Sequence, residues 1–257
     1  MFRKKLASNK LLRKSAFALA SRLLDFRFAV NHDITGRKLF INLWRHKGYW
    51  FYGKLREQEE ISCFSELIKP GYCIVEIGAH IGYVSQVFED LAGPTGCVIV
   101  CEPTSSSLSF LRRNVFPETI ILPIAISDHN GYASFFCEAK GGFTNSLIKD
   151  WTFQHMQGQL ETDGGSLEVP QNVQVKVLRL DDVCSGLKIQ PDFLKIDVEG
   201  AELDVLKGSV NVLANVRSLM VEASGTACEQ VFEFLESYGF SHISSSGANH
   251  FFAHSGL

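Results

Sequence analysis

Three stretches carry acidic residues where chemistry could be done: Glu76-Ile-Gly78-Ala-His80-Ile-Gly82, Glu102-Pro103, and Lys195-Ile-Asp197-Val-Glu199-Gly-Ala-Glu202. The first follows an apolar run and precedes a helix-like segment, so it reads as the turn between a strand and a helix. A dinucleotide fingerprint, G-x-G-x-x-G, would need glycine at position 80, where the backbone approaches a pyrophosphate. His80 stands there, and an imidazole would crowd phosphates on the helix N-terminus. No Gly-Lys-Ser/Thr follows, which excludes a Walker A loop. A carboxylate two residues before Gly78 instead suits a ligand with an ammonium group and no phosphate, lying against Gly78, Ala79, His80, Gly82 and Tyr83.

Glu102-Pro103 ends the next strand-like run, about 20 residues beyond the turn, where an acidic side chain can accept hydrogen bonds from ribose hydroxyls. That contact is common to several nucleoside cofactors, so the choice rests on the turn. Together the two stretches point to S-adenosylmethionine. Ala125, Ile126 and Ser127, at the end of the third run, would bring backbone donors and small apolar surface to an adenine, while Asp128 starts the following turn.

In the third stretch Lys195, Asp197 and Glu199 alternate by two and share a face while the strand persists; Glu199 and Glu202 then lie one turn apart on a helix. Asp197 falls at the strand's carboxyl end. It is assigned to catalysis with Glu199, as a carboxylate that either orients the ligand's ammonium or receives a proton from a reacting hydroxyl. Two other readings compete: acidic groups stabilising a helix N-terminus, and Asp197 with Glu199 holding Mg²⁺. No further Asp or Asn at a suitable spacing completes a metal set, so no metal is assigned. Asn145, Ser146 and His155 are the polar candidates on the substrate side, although a lone loop histidine is more often simply exposed.

The elements that must position these groups alternate from Gly71 onward, as in a parallel sheet with helices on both faces. Strands are expected at 73–78, 97–103, 121–127, 192–197 and 217–224, with helices between them, including one continuous helix from Gly200 to Ala214. Strand-like runs at 132–139 and 173–180 flank a glycine-rich polar stretch, read as an excursion over the ligand face. Residues 229–239 form an amphipathic helix, and the C-terminus ends in a hairpin. The chain divides into a basic amphipathic helical segment (1–30), an aromatic-rich N-terminal cap (31–70) and the main domain (71–257).

The net charge of −3 conceals an asymmetry: residues 1–30 carry eight Lys and Arg against Asp25 alone. Leu12, Ala16, Leu19, Leu23 and Phe26 recur at helical spacing, so this segment packs on its own domain or a partner, lies on an anionic membrane through residues 3–27, or serves as a targeting segment. No apolar run approaches the roughly 20 residues a spanning helix needs, and no basic surface argues for nucleic acid. Seven cysteines without a CxxC pair fit a reducing, cytoplasmic compartment and no zinc site.

Taken together, "IKPGYCIVEIGAHIGYVS", "CEP", "AISDHNG", "TNSL", "VLRLDDV" and above all "LKIDVEGAELDVLKG" resemble the FkbM-type S-adenosylmethionine-dependent methyltransferases over about residues 59–224. The resemblance implies a class I, Rossmann-like, mostly parallel seven-stranded sheet with an antiparallel strand from the C-terminal hairpin, helices on both faces and an N-terminal helical cap. It also implies O-methylation of a hydroxyl on a small molecule, sugar or glycan. The chain departs from the family pattern at Glu76 (usually Asp), His80 (usually Asn) and Thr144-Asn145. A non-catalytic module that keeps the fold and docks through its basic segment is the alternative.

Overall fold

A computed structural model describes residues 26–51, 57–137, 146–148 and 171–256. Its centre is a seven-stranded sheet built from β3 (Cys73–Ile77), β4 (Cys97–Cys101), β5 (Ile120–Leu122), β9 (Phe193–Ile196), β10 (Ser218–Glu222), β11 (Phe240–Ser246) and β12 (Asn249–His254). The strand order is β5-β4-β3-β9-β10-β12-β11. Five strands from β5 to β10 run parallel, and β12 inserts antiparallel between β10 and β11. This is the architecture that the resemblance implied.

The inner strands are apolar on both sides because helices cover both faces. Side chains alternate between the two cores. Val75, Ile77, Ile99, Leu194 and Ile196 face one, and Ile74, Val98, Val100 and Phe193 the other. The first is closed by α5 (Leu180–Leu187), α6 (Glu202–Lys207), α7 (Val210–Leu213) and α8 (Thr226–Ser237), the second by α2 (Gln58–Leu67), α3 (Tyr83–Ala92) and α4 (Ser105–Asn114). Among the described residues no helix is long and apolar enough to cross a membrane.

Several expected elements divide. The strand expected at 121–127 ends at Leu122, because Pro123 has no N–H to give a ladder and Ile124 N–H turns back to the Leu122 carbonyl, 2.9 Å away. The chain re-enters as β6 (Ala125–Ile126), which joins a separate sheet, β6-β8-β7, with β7 (Gly131–Cys137) and β8 (Gln171–Leu178). The long helix expected from Gly200 is two short ones. Gly208 breaks it, packed so tightly that a Cβ would lie 2.0 Å from the Ser127 carbonyl oxygen.

The cap is not purely helical. Residues 27–30, expected in the basic helical segment, open the hairpin of β1 (Arg27–Asn31) with β2 (Lys38–Asn42), since Phe28 and Val30 alternate opposite Leu39 and Ile41. After α1 (Lys47–Phe51), the cap packs Leu39, Ile41 and Tyr49 on Ile81, Tyr83 and Phe110. Asn114 fastens it further, accepting from Phe40 N–H at 2.7 Å and donating to the carbonyls of Phe40 and Ile81.

Candidate active site

Strand order reverses between β3 and β9, since the chain builds outward to β4 and β5 on one side and to β10 on the other. In open α/β sheets the crevice beyond the carboxyl ends at such a switch point is where ligands bind. A cavity of about 260 Å³ lies there. Its wall brings together Glu76, Gly78, Ala79, His80 and Tyr83 from β3 and its turn, Glu102 and Pro103 after β4, and Ala125 and Ile126 of β6. Asp197 and Glu199 follow β9, and Tyr49, Glu57 and Glu60 come from the cap side.

The turn after β3 is shaped by close packing. Gly78 has φ +89°, and a Cβ there would sit 1.7 Å from the Asp197 carbonyl oxygen, so only glycine lets the two strand ends approach. His80 also adopts a left-handed conformation, φ +50°. Its backbone N–H donates to Glu102 at 3.0 Å, while its Nδ1 lies 3.1 Å from the Tyr49 hydroxyl. The imidazole is thus engaged with the cap.

Glu102 is buried and its carboxylate is fixed on both oxygens, by His80 N–H on one and by the Thr104 N–H and hydroxyl on the other. Burial pushes it up to about 7, against the opposing pull of those hydrogen bonds. Glu76 is likewise buried and pushed up to about 7 by desolvation, partly offset by Lys195 and the Ser85 hydroxyl that donates to it. Lys195 is buried with its ammonium 3.6 Å from Glu76 and 2.9 Å from Asp197. Burial disfavours its charge, but the Asp197 and Glu76 carboxylates outweigh that and hold it protonated.

Asp197 is tied to the neighbouring strand by its N–H, 3.0 Å from the Ile77 carbonyl. Burial would raise its carboxyl, but Lys195 and a hydrogen bond from Glu222 hold it below the usual carboxylate range. Glu222, at the end of β10, is an acid of the cavity wall that sequence reasoning missed. The repulsion of Asp197, added to burial, pushes it up to about 10. The available signal was positional: it is an acid at the carboxyl end of the strand next to β9, as Glu76 and Asp197 are on theirs. Carboxylate oxygens of Asp197, Glu199 and Glu222 lie within 4.8 Å of one another. Lys195 and the hydrogen bond between Asp197 and Glu222 already offset part of this charge.

Glu199 and Glu202 do not share a helix. α6 begins at Glu202, which accepts from Gly200 N–H at 2.8 Å, while Glu199 sits in the preceding turn with φ +59°. Three assigned residues stand behind the wall rather than in it. Gly82 is pressed against Leu111, Ser127 gives its N–H to the Leu178 carbonyl at 3.1 Å, and Ser146 is fully buried. The Ser146 hydroxyl donates to the Glu199 carbonyl at 2.6 Å and accepts from Ile148 N–H at 2.9 Å, so it ties residues 146–148 to the turn after β9. Asn145 and His155 lie outside the described residues.

The model of the Methyltransferase FkbM domain matches residues 76–241. The 2-O-methyltransferase NoeI of Sinorhizobium fredii is 28% identical over 176 residues, 62% of this chain and 66% of that protein. The hexuronic acid methyltransferase AglP of Haloferax volcanii is 28% identical over 178 residues, 67% of this chain and 65% of that protein. The match thus spans just under two thirds of the length of these curated relatives. Among solved structures, the fibrillarin pre-rRNA processing protein of Methanococcus jannaschii is similar at a TM-score of 0.47 and 11% identity, covering 90% of this chain and 84% of that one.

Proposed function

We propose, on the premise that this chain belongs to the FkbM methyltransferase family, that it transfers a methyl group from S-adenosylmethionine to a hydroxyl of a small molecule, sugar or glycan. The observation that carries this is the convergence of the Gly78 turn, Glu102 and Asp197 on one cavity at the switch point of the sheet. The residues fit the cofactor. Gly78 lets the ends of β3 and β9 close up beneath the cavity, Glu102 is buried with a fixed carboxylate suited to ribose hydroxyls, and Pro103, Ala125 and Ile126 add apolar wall. Even with Glu222 protonated, the cavity wall carries the acids Glu57, Glu60, Asp197 and Glu199 against Lys195 and so favours a cationic ligand.

When bound, the cofactor supplies an electrophilic methyl group. The chain's own contribution is then alignment and exclusion of water, which in-line displacement rewards. Glu102 fixes the nucleoside, the His80–Tyr49 contact closes the cap over the turn, and Asp197 faces the acceptor side. The names of the relatives, one an O-methyltransferase and one acting on a hexuronic acid, support an acceptor hydroxyl on a sugar. Incubation with methyl-labelled cofactor and a panel of sugars tests this: label in a methyl ether supports it, and label retained in the cofactor across the panel counts against it. Glu102→Ala should weaken cofactor binding more than tenfold while leaving the circular dichroism spectrum unchanged.

Seven cysteines without a CxxC pair are the basis for a reducing, cytoplasmic setting. Peripheral contact with an anionic lipid surface is part of the same reading. Phe26 and Trp50 are exposed at 55% and 38%, and Arg27, Arg45 and Lys47 are exposed beside them in the chain, next to the basic segment.

A further inference from the structure

Glu222 lines the cavity beside Asp197, and the transfer of the hydroxyl proton has as yet no residue beyond Asp197 to share it. The parallel register pairs Val221 with Ile196, which brings Glu222 and Asp197 to adjacent strand ends with carboxylate oxygens within 4.8 Å of each other, where one carboxyl can donate to the other. A hydrogen bond between two carboxyl groups requires a proton on one of them. We propose that Asp197 and Glu222 form a one-proton pair that releases its proton when the positively charged methyl donor binds and takes up the acceptor's hydroxyl proton as the methyl is transferred. The inference rests on the proposed methyltransferase reading.

The charges around the pair make the exchange favourable. Lys195 is the nearby ammonium, and it is shared between Asp197 and Glu76. Glu199 follows on the same strand end, Glu57 lines the cavity from just before α2 and Glu60 from α2, and His80 faces it from the turn after β3. Ionising both members of the pair without a further cation would add a third carboxylate against one ammonium, which is why Glu222 is held protonated up to about 10. A sulfonium entering the cavity supplies the missing positive charge and can replace the proton.

The transfer step then balances. The acceptor oxygen forms the new C–O bond with a lone pair, its O–H bond breaks, and the proton goes to the Asp197–Glu222 pair. The electron pair of the broken methyl–sulfur bond stays on sulfur. Net charge inside the site is the same before and after, because loss of the sulfonium charge coincides with reprotonation of the pair. Glu222 takes the proton because the adjacent Asp197, kept ionised by Lys195, raises its proton affinity above that of its neighbour.

The test is calorimetric and does not depend on turnover. The protein is titrated at pH 8 with S-adenosylmethionine and with S-adenosylhomocysteine in buffers of different ionisation enthalpy, giving protons released per ligand bound. At this pH Glu76 and Glu102, both near 7, are largely ionised and contribute little. The proposal expects about one proton more released by the wild type than by Glu222→Gln on binding the sulfonium ligand, because titration of the ligand's own ammonium is common to both proteins and cancels. It also expects the wild type to release distinctly more with S-adenosylmethionine than with the uncharged thioether, a comparison that needs no variant. Equal counts in both comparisons overturn the proposal while leaving the methyltransferase reading intact. Absence of binding by the wild type overturns both.

Discussion

Glu76 and Glu102 end adjacent parallel strands, β3 and β4, and each is held near 7 by burial. A carboxyl raised in the folded state contributes stability that is fully present below its unfolded value of 4.5 and is lost as pH rises through about 7. The stability contributed by these two carboxyls should therefore fall between pH 5 and pH 8, against the buried histidines such as His46, whose lowered value acts in the opposite direction. Comparison of the wild type with Glu76→Gln in urea isolates the Glu76 share. Relative to the variant, the wild type should lose on the order of 2 kcal/mol over that range, and a pH-independent difference would show that Glu76 is not perturbed. The placement of these residues on one cavity was legible from type and position, because acids at strand ends and glycines after them are local signals. The partner groups were not. Lys195 between Glu76 and Asp197, and Glu222 against Asp197, are juxtapositions of neighbouring strands that spacing along one strand cannot reveal.

At the scale of elements, strands with continuous apolar runs and helices with clear periodicity were readable, and so was the C-terminal hairpin. What failed were joints set by tertiary contact. Pro123 splits a strand between two sheets, and Gly208 splits a helix because the Ser127 carbonyl occupies the space of a side chain. The pairing of β7 with β8, 34 residues apart across the excursion, depends on a register that local pattern does not specify. α2 shows what tertiary packing contributes. Its Phe64 is buried against Phe88, Phe193 and Phe251, with ring centroids 4.9, 5.9 and 5.6 Å away. Phe64→Ala should cost about 3–5 kcal/mol in urea unfolding. A loss under about 1 kcal/mol would mean that α2 is not integral to this core.

For the whole molecule, the sheet provides the switch point and the cap closes it. The hairpin β1/β2 belongs to the folded unit, so a truncation that separates the basic segment from the fold must stop at residue 25 rather than extend into Arg27. Such a truncation removes seven of the eight basic groups of residues 1–30 and should sharply weaken co-sedimentation with vesicles containing anionic lipid while leaving cofactor affinity unchanged; undiminished sedimentation would reject the lipid contact proposed for the segment. The central claim is that the cavity beyond β3, β4 and β9 is a site for an adenosyl cofactor. Calorimetric titration of S-adenosylhomocysteine into the full chain tests it most directly: the account predicts saturable one-to-one binding that Gly78→Ala eliminates, and no binding by the wild type at millimolar ligand would contradict it.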